Sequence, residues 1–345
     1  MSEIKVNNIQ SLSGTNGPVI SGTVEMNSAG AMSLPRGDTA YRGGRGRGVF
    51  AGGYTPTNQN VIDYVTIATT GNAKDFGDLT AAKSGNTCCA SSTRGISAGG
   101  RTPSPTLDVI EYITIPSTGN AFDFGDLLTI SRYSVALSDS TRGVISGGYS
   151  DGDPDLDTFS RIQYVTIASK GNASAFGNLE FSARAQSAAA SPTRGIVSGG
   201  TNNTSGSRVN TIQYITISTL GDAQDFGDLT ETRASGQGGC SNSTRGVVAG
   251  GSTPAKSNVI DYVTIASTGD AIDFGDLTAE LDSIASGGAS PIRGIFGGGR
   301  NPSSTVVNTI QYITISTLGN AQDFGDLSVT RRTGGGCSDS HGGLG

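Results

Sequence analysis

The segment VNTIQYITISTLGDAQDFGDL (residues 209–229) recurs almost unchanged at residues 307–327, where 20 of the 21 positions are identical. Related segments occur four more times, each with a Tyr-x-Thr-Ile core followed by a Phe-Gly pair. Internal repetition at a regular period is the signature of solenoids, propellers and other repeat architectures. This segment therefore decides the fold class before any single motif is considered.

A Gly-Gly pair precedes each core, and successive pairs are 47, 48, 52, 51 and 48 residues apart. Six copies of one unit therefore fill residues 46–345. Each unit contains four short segments that read as strands, because they are rich in β-branched residues and are bounded by Gly and Asn. Four strands per unit at this period predict an all-β protein, a six-bladed β-propeller. The pairs begin at Gly52, Gly99, Gly147, Gly199, Gly250 and Gly298.

The two ends of the repeat array predict how the ring closes. The last copy stops at Leu344 and Gly345, where the strand that ends in Gly-Gly is expected, whereas the first copy begins with that strand at residues 47–53. One blade is therefore predicted to combine strands from both chain ends, which removes two exposed strand edges. Residues 1–45 precede the repeats and are predicted to be a short extended segment for anchoring or oligomerisation, with a linker.

Composition disfavours several classes of protein. Gly accounts for 53 of the 345 residues and only 15% of residues are charged, which argues against a helical bundle or a coiled coil. The net charge of −6 and the pI near 4.8 argue against a nucleic-acid binder. No apolar run reaches the length of about 18 residues that a membrane span needs. We therefore expect a soluble chain, made in the cytoplasm, with no membrane insertion.

Titratable side chains give little support to catalysis. The single histidine, His341, lies near the C-terminus, which argues against most histidine-based catalysis and His-rich metal sites. The four cysteines show no Cys-x-x-Cys spacing and are interpreted as buried reduced thiols. We therefore predict that the protein is not an enzyme and has no cofactor, with Ca²⁺ at an acidic loop as the one alternative.

Two repeated motifs resemble functional signatures only locally. Asp-Phe-Gly occurs five times, and the third copy replaces its acids with Ala175 and Asn178, so we predict a turn with Asp accepting backbone N–H groups and Gly at positive φ. The RGGRGRG run at residues 42–48 resembles an RNA-binding tract. However, Arg47 aligns with an arginine in every repeat, so the propeller strand already accounts for it.

Sequence variation is concentrated in one set of loops. In an antiparallel meander the connections alternate between the two ends of a blade, so the loops that follow the Gly-Gly pairs share one face of the ring. These loops differ between repeats, whereas the turns on the other face are nearly constant. A uniform scaffold with one diverse face predicts a binding surface, contacted through large Tyr and Arg side chains. The predicted ligand-binding residues are Tyr54, Arg101, Tyr149, Arg208 and Arg300.

The loop after the third Gly-Gly pair, DGDPDLD at residues 151–157, is strongly acidic. Acids that alternate with Gly and Pro can supply oxygen ligands for Ca²⁺, although the glycine and the distal Glu of an EF-hand loop are absent. A solvated acidic loop without metal is the other interpretation. The Ca²⁺ ligands in the first interpretation are Asp151, Asp153, Asp155 and Asp157.

The repeat resembles that of kelch proteins. RGVVAGG (residues 245–251), IQYITI (212–217) and DFGDLTETR (225–233) stand where kelch repeats have the Gly-Gly strand, the Tyr strand and the segment with an aromatic residue, Leu and Arg. Phe226 replaces the usual Trp of that last segment. The resemblance implies a kelch-like propeller that binds a partner, without saying which partner.

The chain also resembles virion structural proteins of tailed phages of cyanobacteria. The resemblance lies in MSEIKVNNI (residues 1–9), SLPRGDTAYR (33–42) and the near-identical YxTI and GNAxDFGDL repeats. It implies a tail fibre, baseplate or capsid appendage located in the virion, held to other virion proteins through residues 1–45. It further implies a homo-oligomer whose propeller mediates assembly contacts or adhesion to a glycan or protein of the host surface.

Two other functions are considered. An intracellular kelch-type scaffold would grip a protein partner on the variable face. A hydrolase or lyase acting on a surface glycan would need carboxylates at a defined separation in one pocket, and only the acidic loop at residues 151–157 offers a cluster.

Overall fold

The computed structural model describes residues 46–151, 159–234, 236, 238–285 and 287–344, and they form a six-bladed β-propeller. Each blade is an antiparallel meander, ordered from the channel outwards as innermost, second, third and outermost strand. The blades are numbered 1 to 6 by the position of the second strand in the chain. The predicted fold class is thus confirmed, while the predicted anchor segment, residues 1–45, lies outside the described residues.

The strands follow the repeat closely. The innermost strands are Gly335–Ser338, Thr87–Ala90, Val135–Ser138, Ser187–Ala190 and Gly238–Ser241 in blades 1 to 5, and bridges at Ala285 and Ala289 take their place in blade 6. The second strands are Arg47–Ala51, Arg94–Ala98, Arg142–Ser146, Arg194–Ser198, Arg245–Ala249 and Arg293–Gly297. The third strands are Thr57–Thr66, Val109–Thr114, Arg161–Thr166, Thr211–Thr216, Ala255–Thr264 and Thr309–Thr314. The outermost strands are Lys74–Lys83, Phe122–Asp126, Ser174–Asn178, Gln224–Asp228, Ile272–Leu281 and Gln322–Asp326. Short strands are Tyr54–Thr55, Ala183–Arg184, Thr201–Asn202 and Ser252–Thr253, and a 3₁₀ helix spans Gly342–Leu344.

Blade 1 contains strands from both ends of the repeat array. Its innermost strand, Gly335–Ser338, pairs antiparallel with its second strand, Arg47–Ala51, in a register that places Gly48 opposite Ser338. The predicted closure is confirmed by this pairing. Because the pairing covers the inner edge of the first repeat strand, the ring has no open edge at this joint.

The hydrophobic core is divided among the interfaces between neighbouring blades. Ile62 and Phe76 of blade 1, for example, pack against Ile113 and Ile115 of blade 2, and each of the six buried clusters joins two adjacent blades in this way. Strands that are covered by sheets on both faces need apolar residues on both faces, which explains the Ile-rich third strands. The core therefore stabilises the contacts between blades as much as each blade itself.

In each blade, an arginine at the start of the second strand holds the blade to the next one through its guanidinium. Arg194 lies 4.4 Å above the ring of Tyr214 and donates a hydrogen bond of 3.0 Å to the carbonyl of Ile265 in the following blade. The same pair of contacts recurs at all six equivalent arginines. The arginine and the tyrosine that define the repeat are therefore occupied by structural contacts, and Arg47 is among them.

The Gly-Asn or Gly-Asp turn of each blade packs against the outermost strand of the preceding blade. The backbone N–H of Gly269 donates to the carbonyl of Phe226 at 2.7 Å, and the backbone N–H of Asp228 donates to the side chain of Asp270 at 3.0 Å. A Cβ on Gly227, where φ is +144°, would lie 2.6 Å from the backbone carbonyl of Gly269. The predicted positive φ is confirmed, but the turn role was wrong, because Asp-Phe-Gly lies in the outermost strand and the following residue makes the contact.

A buried hydrogen-bond acceptor recurs at every junction between blades. It is the residue before the repeat tyrosine, and it accepts the backbone N–H that lies four positions after the phenylalanine of the preceding blade. A buried acceptor is stable only when such a donor satisfies it. The six acceptors are Asp63, Glu111, Gln163, Gln213, Asp261 and Gln311.

The charge of this acceptor follows the charge of the residue that faces it. The facing residue stands seven positions after the phenylalanine of the preceding blade. Where it is a cation, the acceptor is an acid, and where it is neutral, the acceptor is Gln. Each buried carboxylate is therefore neutralised by a buried cation. The ion pairs are Lys83–Glu111, Arg233–Asp261 and Arg331–Asp63, and the neutral facing residues are Ser131, Ala183 and Leu281.

Candidate functional site

A ring of left-handed backbone conformations surrounds the channel on the face of the variable loops. The equivalent residue in each connection between blades has φ between 53° and 69°, although only two of the six are glycines. The backbone amides around this ring donate to the carbonyls of the preceding connection and form a closed circle of hydrogen bonds, with Ile284 as the donor at one step. This conformation raises the backbone energy of a non-glycine residue, so contacts with the surrounding structure must stabilise it. The six residues are Gly85, Tyr133, Ala185, Gly236, Ser283 and Thr333.

Beneath the ring lies a cavity of about 290 Å³, which we call the mouth cavity. Its lining comes from all six blades, chiefly from the connections between blades and from the start of the innermost strands. A volume near 300 Å³ is at the small end of the range for ligand sites in proteins. The mouth cavity therefore suits a small ligand or one protruding group of a larger ligand.

The lining of the mouth cavity includes a buried amide without a partner. Gln186 is only 6% exposed, and neither its Oε1 nor its Nε2 has a hydrogen-bond partner among the residues that the structure describes. Space for its side chain exists because Gly200, in the facing Gly-Gly pair, has no Cβ, which would lie 2.5 Å from the Cγ of Gln186. Asn86, 5% exposed, adds a second unsatisfied acceptor at its Oδ1. Both oxygen atoms lie between blades, Oε1 of Gln186 beside Gly147 and Oδ1 of Asn86 beside Gly52, and unsatisfied buried atoms of this kind are costly.

Cationic side chains line the same cavity. Arg184, Arg300 and Arg332 line the mouth cavity, and no acidic side chain lines it within the described ranges. Arg300 is neutralised from outside the lining by two hydrogen bonds to Asp282, at 3.0 and 2.7 Å, which raise the pKa of Arg300. Arg184 donates to the neutral Asn203 at 2.6 Å. The local charge is thus positive although the whole chain is acidic.

Arg332 is the least engaged of these cations. Its guanidinium lies 5.1 Å from the centroid of the Tyr54 ring, and in the described part of the chain it has no acidic partner. Its backbone pairs with Tyr54 in an antiparallel bridge, which fixes the side chain at the rim. A partly buried cation that is fixed and unneutralised is a natural partner for an anionic group.

Four of the five residues predicted to bind a ligand occupy the same position in their blades, directly after Gly-Gly, and therefore surround the mouth. Arg300 lines the mouth cavity. Tyr54 and Arg101 line an adjoining cleft of about 460 Å³, which shares Arg332 with the mouth cavity. Tyr149 lies between two arginines and lines neither the mouth cavity nor the cleft. Arg208 lines a depression of about 390 Å³, which shares Arg300 with the mouth cavity.

The arginines around Tyr149 connect it to the acidic loop. The guanidiniums of Arg132 and Arg184 lie 5.3 and 4.9 Å from the centroid of the Tyr149 ring. Asp151 accepts a hydrogen bond of 2.5 Å from Arg132 and lies 3.4 Å from Arg101. Asp151 is therefore engaged with cations.

The predicted Ca²⁺ site is only partly within the described structure, because Asp153, Asp155 and Asp157 lie outside the described residues. No group of three or more residues able to hold a metal ion occurs among the described residues. Ca²⁺ binding by this loop stays a prediction.

The C-terminal segment closes the opposite end of the channel. The 3₁₀ helix Gly342–Leu344 contacts the innermost strands of blades 3, 4 and 5. The Nε2 of His341 lies 2.7 Å from the carbonyl oxygen of Ala90, and its Nδ1 accepts the N–H of Gly343 at 3.1 Å. This pattern fits a neutral imidazole, and burial lowers the pKa of His341. The described residues thus leave the channel open only at the variable face.

Small side chains of the innermost strands fill most of the channel between its two ends, where a cavity of about 70 Å³ remains. All four cysteines are free and buried, as predicted. Burial raises the pKa of the Cys89 and Cys240 thiols, which makes them poor nucleophiles.

Sequence reasoning missed Tyr133, Arg184, Gln186 and Arg332. These residues come from the connections between blades, and their left-handed ring carries a different residue in almost every repeat. No residue pattern therefore marks the ring. The available signal was topological, because these connections share a face with the variable loops.

Comparison with protein-family models and with curated protein sequences found no match. No helix within the described ranges has the length and apolar character needed to span a membrane.

Proposed function

We propose that this chain is a structural protein of a phage virion, a tail fibre, baseplate or capsid appendage, whose propeller mediates adhesion to a host-surface glycan or protein or makes assembly contacts. Residues 1–45 would join it to other virion proteins, and the chain would act as a homo-oligomer. No catalytic role is proposed. The observation that carries the binding function is a near-constant scaffold with its sequence variation around a blind mouth cavity.

The division between scaffold and variable face supports this proposal. The arginine, tyrosine and Phe-Gly residues that repeat in each blade are occupied by contacts between blades. The residues after Gly-Gly are free to differ, and four of them reach the mouth of the channel. A rigid scaffold that presents variable loops is a common arrangement for recognition. The phage setting rests on the resemblance of the repeats and the N-terminal segment to virion proteins.

One observation favours a second function, an intracellular kelch-type scaffold for a protein partner. The cleft beside the mouth cavity, about 460 Å³, is open and is lined by Tyr54 and Arg101, the residue types that dominate binding energy at protein interfaces. A peptide could lie in this cleft without any role for residues 1–45.

Particle incorporation tests the proposal. The full chain and a variant lacking residues 1–40 are expressed with an epitope tag during infection, and purified particles are probed for each. We expect only the full chain to co-purify with particles, because the deletion removes the proposed anchor and leaves the propeller intact. If neither form is retained, the virion function is wrong, and the scaffold function with an intracellular protein partner is tested next.

A further inference from the structure

We propose that the mouth cavity binds an acidic sugar, a saccharide unit that carries a carboxylate. This inference rests on the proposed adhesion function, because it names the chemical class of the ligand. Three features of the mouth cavity carry it: its positive charge, its unpartnered amide and the character of its remaining lining.

The positive charge selects an anion. Arg332 and Arg184 line the mouth cavity without acidic partners among the described residues, whereas Arg300 is already neutralised by Asp282. A guanidinium matches the planar geometry of a carboxylate and binds it with two parallel hydrogen bonds. We assign the carboxylate of the ligand to Arg332, with Arg184 as the second cation.

The unpartnered amide selects a ligand with hydroxyl groups. The amide of Gln186 carries one donor and one acceptor that no described residue satisfies. Both atoms are buried in the wall of the mouth cavity, with Oε1 beside Gly147, so the side chain turns towards the cavity when it binds the ligand. A sugar hydroxyl can donate and accept at once, so vicinal hydroxyls satisfy an amide on both sides. A bare anion such as phosphate would leave the acceptor atom of Gln186 unsatisfied, because it has few protons to donate.

The remaining lining favours a sugar over an acidic peptide. Thr87 and Thr201 supply hydroxyl groups to it, and Tyr133, Val135 and Ile284 supply apolar surface for the ring carbons. A peptide anchor would need a larger apolar pocket for its side chains. The small side chains that fill the channel below the mouth cavity also limit the depth to which a chain can enter.

Calorimetric titration of the full chain tests the inference with matched sugars. D-glucuronic acid is compared with D-glucose, and D-galacturonic acid with D-galactose, since each pair differs only at C6. We expect both acids to bind about tenfold or more tightly than their neutral counterparts, because a charged hydrogen-bonded pair is lost with the carboxylate. Equal affinities within each pair would overturn the inference, and this comparison needs no variant.

Variants assign the contacts. Arg332→Gln should remove the preference for the acid and leave the weak affinity for the neutral sugar, whereas Gln186→Leu should weaken both. Lys74→Gln, on the exposed outermost strand of blade 1, removes a positive charge far from the mouth and should change neither. Circular dichroism confirms that each variant is folded, and Arg184→Gln replaces Arg332→Gln if that one is not. Uronate binding that survives both arginine changes contradicts the assignment.

Two further outcomes separate this inference from its alternatives. A short acidic peptide that binds in an Arg332-dependent manner, when the uronates do not, would replace the sugar with a protein ligand. Retention of the full chain by particles, without any preference for uronates, would overturn the sugar assignment and leave the virion function standing.

Discussion

Arg233 has no exposed surface, yet it is charged and lies between two blades. It pairs with Asp261 of blade 5, which is equally buried, and it donates to the carbonyl of Val259 at 2.7 Å. Removing one member of such a pair leaves an isolated charge in a medium of low dielectric constant. The pair is therefore more important for matching blade 4 to blade 5 than for net stability.

Replacing Arg233 with Leu should destabilise the propeller strongly. The change leaves the carboxylate of Asp261 buried without its cation, which costs about 3–5 kcal/mol in comparable pairs. Chemical denaturation followed by circular dichroism measures the loss as a shift of the midpoint.

The double variant Arg233→Leu with Asp261→Gln is the matched control, because it reproduces the Leu281–Gln311 junction that the chain already contains. We expect it to recover most of the lost stability. A double variant as unstable as Arg233→Leu alone would show that charge matching does not govern this junction.

The repeats contain the information for these pairs, but not for the ring at the mouth. Aligning the six copies shows acids only opposite cations, so the matched junctions can be predicted from sequence. The left-handed positions carry both Gly85 and Thr333, residues with opposite preferences for positive φ. Hydrogen bonds between distant connections impose that conformation, and no local preference reports them.

At the scale of elements, the turn between the third and outermost strands extends the sheet contact from one blade to the next. The turn approaches the neighbouring strand so closely that Gly227 has no space for a Cβ. Gly221, in the same repeat, has a similar φ of +156° but open space around it. Comparing substitutions at these two glycines therefore separates the energetic cost of the backbone conformation from that of a steric clash.

Gly227→Ala should destabilise the propeller more than Gly221→Ala. Both changes place a side chain at a positive φ, which costs about 1–3 kcal/mol. Only Gly227→Ala adds a contact of 2.6 Å with the backbone of Gly269, and overpacking of this kind adds about 1–3 kcal/mol. Thermal unfolding of the two variants measures the difference, and equal melting temperatures would contradict the close approach.

Most elements were predictable because each strand pattern occurs six times. Repetition turns a weak local signal, such as the five residues of Arg245–Ala249, into a reliable one. Blade 6 departs from the pattern, since two isolated bridges replace its innermost strand. Its Gly287 and Gly288 do not account for this, because the innermost strands Gly238–Ser241 and Gly335–Ser338 begin with the same Gly-Gly pair.

At the scale of the whole molecule, the ring depends on the strand Gly335–Ser338, which pairs with Arg47–Ala51. Without it, the second strand of blade 1 would expose its backbone N–H and C=O groups to solvent. Exposed edges of this kind pair with other chains. Closure therefore protects against self-association as well as against opening of the ring.

Truncation after residue 334 should convert one cooperative unfolding transition into a broad one and cause self-association. The truncated chain lacks the innermost strand of blade 1, so blades 1 and 6 lose their joint at the channel. Differential scanning calorimetry and analytical ultracentrifugation measure the two effects.

Truncation after residue 340 is the control. It removes His341 and the 3₁₀ helix Gly342–Leu344 but keeps the closing strand. We expect a monodisperse propeller with a sharp transition, in which the end of the channel opposite the variable face is uncovered. Self-association of this shorter truncation would attribute the effect to the C-terminal helix instead of the strand.

The matched junctions also restrict how this gene could change by unequal recombination between its repeats. Loss of blade 5 would place Arg233 against Gln311, a buried cation against a neutral side chain. Loss of blade 3 would place Ser131 against Gln213, a combination of the kind that the ring already contains. The number of repeats can therefore change only at some positions in the ring. The near-identical blades are not interchangeable, because the charges of single residues at each junction determine which blades can be neighbours.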